Sequence, residues 1–108
     1  MRKITIDGSL ILTRADLHSL LKTKFKNRGY YGSNLDAVWD VLSIYDKDIL
    51  IEVINTMELF SHLNEYGLDF VETLLQVSFE NNFVKVNVIS AWLEGFVLVW
   101  CSFSKILA

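Results

Sequence analysis

The feature that most constrains the fold of this chain is the alternation of three short β-branched segments with longer helical stretches. Residues 3–6, 48–54 and 83–89 are short and rich in β-branched residues, as is typical of strands. Two stretches with helical periodicity separate each predicted strand from the next, which gives the order β-α-α-β-α-α-β. Because strands joined through helices pair in parallel, the sequence predicts an α/β fold, a three-stranded parallel sheet with helices packed on it.

Two capping patterns mark the starts of the first two predicted helices. Thr13 precedes Asp16 by three residues, and the first helix is expected to run over 15–26. Ser33 precedes Asp36 in the same way, so a second helix is predicted to begin at Ser33. On this second helix an apolar face adjoins a face that carries the carboxylates.

Two further helices are predicted at 56–65 and 68–81, separated by Gly67. The second of them is expected to bury an apolar face, with Val77 at one edge of it. Its opposite face carries polar residues at a spacing of four, namely Glu72, Gln76 and Glu80.

The apolar segment 91–108 is predicted to be a C-terminal extension packed on a domain formed by 1–90. Residues 93–95 can close a hairpin, which would make 96–103 a fourth strand antiparallel to the third. A helix packed on the sheet is less favoured by the β-branched and aromatic residues, and an exposed patch that dimerises is the third alternative.

Composition narrows the class of protein. A single cysteine, Cys101, excludes a disulfide scaffold, and the longest apolar run is far shorter than the ~20 residues that span a bilayer. No signal peptide is visible at the start, so a cytoplasmic protein without membrane association is expected. The net charge of −3 is unevenly spread, because residues 1–28 carry a balance of +5 and residues 29–108 a balance of −8. The acidic part suits a basic partner and repels nucleic acid.

A basic cluster leaves nucleic acid open as a partner class. Lys22, Lys24, Lys26 and Arg28 are compatible with it, but cations near a helix C-terminus also simply complement the helix dipole. The second interpretation is favoured, and no direct nucleic-acid contact is expected.

No pattern supports catalysis, a metal site or a cofactor. His18 and His62 lie in predicted helices without a nucleophile motif, and no glycine-rich phosphate loop is present. Asp36 and Asp40 are paired carboxylates, but nothing in the local sequence distinguishes one as acid and the other as base. The chain is therefore expected not to be an enzyme.

The segment 30–42, YYGSNLDAVWDVL, combines acids with aromatic residues. Asp36 is explained by its place near a helix N-terminus, but Asp40 follows one turn later, where like charges repel. Aromatic side chains flank both acids, and such side chains bury large areas at binding hot spots. Carboxylates ringed by aromatics suit the capture of a partner's arginines or lysines.

Residues 30–40 resemble the signature of the barstar family of bacterial ribonuclease inhibitors. The resemblance extends to the opening strand, to 16–18 (DLH), to 75–77 (LQV) with Glu80, and to the last strand, so that it covers about 1–90. It implies a three-stranded parallel sheet packed with helices. It also implies an intracellular immunity protein that blocks the active site of a small basic, barnase-type ribonuclease, as a monomer in a 1:1 complex.

The resemblance implies roles for individual residues. Asp40 matches the family's central aspartate, which occupies the phosphate site of the ribonuclease and imitates the RNA phosphate. Asp36 and Glu80 match two further acids, and Tyr30 matches the aromatic residue that stacks on the catalytic histidine of the ribonuclease. The remaining predicted contact residues are Gly32, Asn34, Leu35, Val38, Trp39, Tyr45 and Val77.

The chain departs from the family's pattern in two places. The family's namesake has a tryptophan soon after the acidic helix, where this chain offers Ile44 or Tyr45, and it has no counterpart to 91–108. The alternative function is an immunity or binding protein on the same scaffold, directed at a different basic toxin or cellular partner.

Overall fold

The computed structural model describes residues 1–25, 33–93 and 96–101, with side chains described in 1–25 and 33–89. The elements of this part of the chain are β1 (Arg2–Asp7), a 3-10 turn (Gly8–Leu10), α1 (Arg14–Phe25), α2 (Leu35–Ser43), β2 (Ile49–Ile54), α3 (Thr56–Leu63), α4 (Glu65–Glu80), β3 (Val84–Leu93) and β4 (Phe96–Cys101).

The four strands form one sheet in the order β1-β2-β3-β4. β1, β2 and β3 are parallel, with Ile4 beside Ile51 and Ile51 beside Val86. β4 runs antiparallel to β3. The predicted parallel sheet and the predicted antiparallel fourth strand are confirmed, and the alternative of a helix is wrong for 96–101.

The end of β3 bears on how the chain is divided. β3 continues to Leu93, beyond the predicted strand end at Ile89, so the proposed boundary after Ser90 falls inside a strand that pairs with β4. The division into a domain and an extension remains a prediction. Residues 94–95 and 102–108, which include part of the predicted hairpin, lie outside the described residues.

One face of the parallel sheet forms the floor of the core. Alternate side chains of β1, β2 and β3 are at most 2% exposed, namely Ile4, Ile6, Ile49, Ile51, Val53, Val84, Val86 and Val88. The other face is only partly covered, and on it Lys3 forms an ion pair with Glu52 at 3.7 Å. Successive side chains of each strand therefore point alternately to a face covered by helices and to a more open face, as expected for strands.

The capping box predicted for the first helix is confirmed. The N–H of Asp16 donates to Oγ1 of Thr13 at 3.1 Å, and the Asp16 carboxylate accepts from the N–H of Thr13 at 3.2 Å. These two bonds satisfy backbone donors that the first turn leaves without helical partners. The predicted end of this helix, at 27–29, lies outside the described residues.

The break between α3 and α4 lies at Asn64, and the prediction that Gly67 separates two helices is wrong. Asn64 has a φ of 55°, a region that Asn enters more readily than most residues. Gly67 lies buried within α4, where a Cβ atom would be 3.2 Å from the carbonyl oxygen of Leu59. The glycine thus allows α4 to pack closely on α3.

Candidate partner-binding surface

α2 begins at Leu35, two residues later than predicted, because Asn34, and not Ser33, is its N-cap. Asn34 has an extended backbone, and its Oδ1 accepts a hydrogen bond of 2.9 Å from the backbone N–H of Ala37. Asn is among the residues that cap helices best. Asp36 consequently lies in the first turn of α2, where a negative charge is favoured by the helix dipole.

The two faces of α2 have different surroundings. Leu35 and Trp39 are half-buried against the core, whereas Asp36 and Asp40 are exposed. The side chains that fix the inner face of the helix in the core are Val38, Val41 and Leu42. Because the two acids are one turn apart, their Cβ atoms are about 5–6 Å from each other. The sequence prediction of an apolar face beside an acidic one is confirmed.

The carboxylates of Asp36 and Asp40 have no cation within the described part of the chain. The ion pair found there joins Lys3 and Glu52, and Asp40 accepts a hydrogen bond of 3.3 Å from the Ser43 hydroxyl through its backbone carbonyl. Two neighbouring like charges cost a helix about 0.2–0.5 kcal/mol. Within the described chain, therefore, no ion pair of the Asp40 carboxylate stabilises α2.

Glu80 is brought toward the C-terminal end of α2 by its neighbour Asn81. Glu80 is exposed and is the last residue of α4. The Asn81 side-chain amide donates to the carbonyl oxygen of Leu42 at 2.9 Å and to that of Tyr45 at 2.8 Å. The C-terminal end of α4 is thereby fastened to the C-terminal end of α2.

The helix dipoles add to the charge at this end. Neither α2 nor α4 has a basic residue in its last turn. A helix C-terminus carries the equivalent of about half a negative charge. The Asn81 bonds bring two such ends together, and we give the name acidic surface to Asp36, Asp40 and Glu80 with the C-terminal ends of α2 and α4.

Three residues predicted to contact a partner lie in the core instead. Val38 is 2% exposed, Tyr45 5% and Val77 0%, so their side chains cannot contact a partner directly in this conformation. A residue near the N-terminus fixes the Tyr45 side chain, because Nη1 of Arg2 donates to its hydroxyl at 3.1 Å. Its ring also packs edge-on against Phe25, with centroids 6.2 Å apart. Burial argues against direct contact by these three side chains, and which residues touch a partner stays a prediction.

Ile44 and Tyr45 both lie where the family's namesake has a tryptophan, and of the two only Tyr45 is among the predicted contacts. The Ile44 side chain is 77% exposed at the C-cap of α2. Ile44 directly follows Ser43, the last residue of α2, and the contacts of Tyr45 with Arg2 and Phe25 leave Ile44 as the exposed residue of the two. Tyr30 and Gly32, the other predicted contacts before α2, lie outside the described residues.

Within the described ranges, no helix is both long and apolar enough to cross a membrane. In the same part of the chain, no three His, Cys, Asp or Glu side chains lie together in a way that suits a metal ion.

Comparison with known proteins identifies a family and a similar protein. Residues 1–91 match the model of the family described as Barstar (barnase inhibitor). The chain is also similar to a protein of Bacillus subtilis (strain 168) that is named "Putative ribonuclease inhibitor YrdF", with 39% identity over 82 residues, or 74% of this chain and 89% of that protein. The family match includes the whole of α2 and α4 and therefore the acidic surface.

Proposed function

The chain belongs to the barstar family, and we propose that it is a cytoplasmic immunity protein that inhibits a small, basic ribonuclease of the barnase type. In this proposal it acts as a monomer in a 1:1 complex, it blocks the active site of the ribonuclease with α2 and the segment before it, and it is not an enzyme.

The observation that carries the proposal is the exposed pair of Asp36 and Asp40 on a helix whose other side is fixed in the core. A helix anchored through buried side chains keeps its outer face rigid. The two carboxylates are thus presented in a fixed geometry without an internal cation in the described chain. Such a surface binds cations of a partner without first having to break contacts of its own.

The chemistry of the surface fits the site of an enzyme that binds RNA. A ribonuclease must hold the phosphates of its substrate with arginines, lysines or a protonated histidine. A carboxylate offers an arginine two oxygens in a bidentate arrangement, as a phosphate does. We assign Asp40 the role of the phosphate mimic, with Asp36 and Glu80 pairing with cations around it.

Apolar groups beside the acids support a tight contact. Trp39 and Leu35 are half-buried on α2, and Ile44 is 77% exposed just after it. When such groups are covered by a partner, they remove water from the neighbouring charge pairs, which strengthens those pairs. We place Ile44, rather than Tyr45, at the edge of the contact, and Asn34 contributes as the cap that fixes the start of α2.

Opposite charge also speeds the encounter. The acidic surface lies in the part of the chain that carries a balance of −8. Complementary potentials raise association rates, and the family's namesake complex is itself a standard example of such steering.

The experiment that tests the proposal is a titration of RNA cleavage by a barnase-type ribonuclease with this protein, at enzyme concentrations well above the expected Kd. The expected result is a linear loss of activity that reaches zero at one inhibitor per enzyme. A ribonuclease that is not strongly basic is the control and is expected to remain active. If the folded protein leaves barnase-type cleavage unchanged at micromolar concentration, the inhibitor proposal is wrong, and the acidic surface serves a different basic partner.

A further inference from the structure

A pocket on the side of α1 gathers positive groups that the proposed inhibitor function does not use. The pocket has a volume of about 240 Å³ and is lined by Arg14, Ala15, His18, Ser19, Lys22 and Ser33. Because Arg14, His18 and Lys22 follow one another at a spacing of four, they share one face of α1. Ser33, just before the cap of α2, also lines the pocket.

Two of the basic groups are held in place by Tyr66 on α4. The Arg14 guanidinium lies over the Tyr66 ring, 4.2 Å from its centroid. Nε2 of His18 shares a hydrogen bond of 2.5 Å with the Tyr66 hydroxyl. Ordering a side chain in advance reduces the entropy lost when it binds a ligand. The pocket is therefore better organised than a set of free surface cations.

No carboxylate balances this charge within the described chain. The ion pair found there is remote from the pocket, on the open face of the sheet. Asp16, the acid of α1, accepts hydrogen bonds from the N–H groups of Leu12 and Thr13 at the start of the helix. The sequence of 26–32, KNRGYYG, contains no acid either.

The pKa of His18 agrees with a pocket in which positive charges predominate. Burial, and then the charges of Lys22 and Arg14, lower the pKa of the His18 imidazole. Both neighbouring charges are positive, and neither favours its protonated form.

We propose that this pocket binds a phosphate group, through charge-assisted hydrogen bonds from Arg14 and Lys22 and hydroxyl contacts from Ser19 and Ser33. Arginine and lysine are the side chains best suited to phosphate, the first through its fork of donors and the second as a point charge. The volume exceeds that of a single water several times over, so the group has room to enter. A phosphate bound there contacts both α1 and Ser33, which lies just before the cap of α2.

The test uses the free protein, so that it is independent of any ribonuclease. The titration of His18 is followed by NMR with inorganic phosphate, and with chloride at the same ionic strength, and thermal unfolding is measured in both. Phosphate is expected to raise the pKa of His18, because an anion favours the imidazolium, and to raise Tm. Chloride is expected to do neither.

Lys22→Gln is the informative variant, because Lys22 makes no ion pair within the described chain and its loss leaves the Tyr66 contacts intact. It is expected to weaken phosphate binding roughly tenfold or more, the effect of losing one charge-assisted hydrogen bond. Lys24→Gln, on the same helix but outside the pocket, is the matched control and is expected to bind as the wild type does.

A second experiment asks whether the pocket binds free phosphate or a phosphate ester. In it, a ribonucleoside 3′-monophosphate replaces inorganic phosphate. Tighter binding of the nucleotide identifies an esterified phosphate as the ligand, and equal or weaker binding identifies the free ion. The proposal is overturned if phosphate acts only as chloride does, or if Lys22→Gln and Lys24→Gln respond alike.

Discussion

The side-chain amide of Asn81 donates a hydrogen bond of 2.8 Å to the backbone carbonyl of Tyr45. The same amide donates to the carbonyl of Leu42, so one side chain at the end of α4 serves the end of α2. These bonds connect the two helices that carry the three acids of the acidic surface.

Replacement of this amide tests its contribution to stability. Asn81→Ala is expected to lower the free energy of unfolding by about 1–3 kcal/mol, because it removes the hydrogen bonds that the amide donates to the carbonyls of Leu42 and Tyr45. Chemical denaturation measures the change. Asn82→Ala is the matched control, since Asn82 is exposed and its backbone carbonyl, which accepts from Lys85, is kept in the variant. Equal losses in the two variants would show that the amide does not connect the helices.

The two described glycines are expected to respond differently to alanine. At Gly8 a Cβ would lie 2.4 Å from the carbonyl oxygen of Asn55, so the backbone must move, and Gly8→Ala should cost about 1–3 kcal/mol. At Gly67 the nearest atom is 3.2 Å away, and the helix propensity of alanine offsets part of the crowding by up to about 1 kcal/mol. Denaturant midpoints compare the variants. A Gly8→Ala protein as stable as Gly67→Ala would contradict the close packing described at the 3-10 turn.

Stability is expected to fall in mildly acidic solution because of His18. Burial and the charges of Lys22 and Arg14 lower the pKa of His18 in the folded protein. The unfolded chain therefore binds more protons once the pH drops below about 6.5, and this part of the stability is lost as the pH falls through the folded pKa. The slope from one such group is at most about 1.4 kcal/mol per pH unit.

The measurement is the free energy of unfolding between about pH 8 and pH 5, for the wild type and for His18→Gln. The variant is expected to show a shallower decline, because it lacks the titrating group. An identical decline would assign the acid sensitivity to other groups.

Association with the ribonuclease is expected to depend strongly on salt. Charges on two exposed surfaces are screened beyond about 10 Å at 0.1 M ionic strength. The association rate should therefore fall at least tenfold between low and high salt, while the dissociation rate changes less. Stopped-flow measurements at several ionic strengths give both rates. A salt-independent association rate would contradict electrostatic steering by the acidic surface.

The fold was largely predictable because its signals are local. β-branched segments of strand length and a capping box at Thr13 and Asp16 each act within a few residues, and the structure confirms both. The position of the break between α3 and α4 was not predictable in this way. Gly67 lies within α4 because it allows close packing on α3, and sequence spacing does not reveal that contact. Burial near the acidic surface was predicted less well for the same reason. Tyr45 is buried through Arg2 and Phe25, which are distant in sequence, and this leaves Ile44 as the exposed residue.

The central claim is that Asp40 occupies the phosphate site of a ribonuclease, and the most direct test is the inhibition constant of Asp40→Asn beside that of Asp69→Asn. Asp69 is an exposed carboxylate in α4, about 16 Å along the helix from Glu80, so the two variants lose the same charge at different places.

Removing one partner of a buried ion pair costs about 3–5 kcal/mol, so Asp40→Asn is predicted to weaken inhibition by roughly a hundredfold to several thousandfold. Asp69→Asn is predicted to leave it nearly unchanged. Equal and small effects of the two substitutions would contradict the assignment of Asp40 to the centre of the contact.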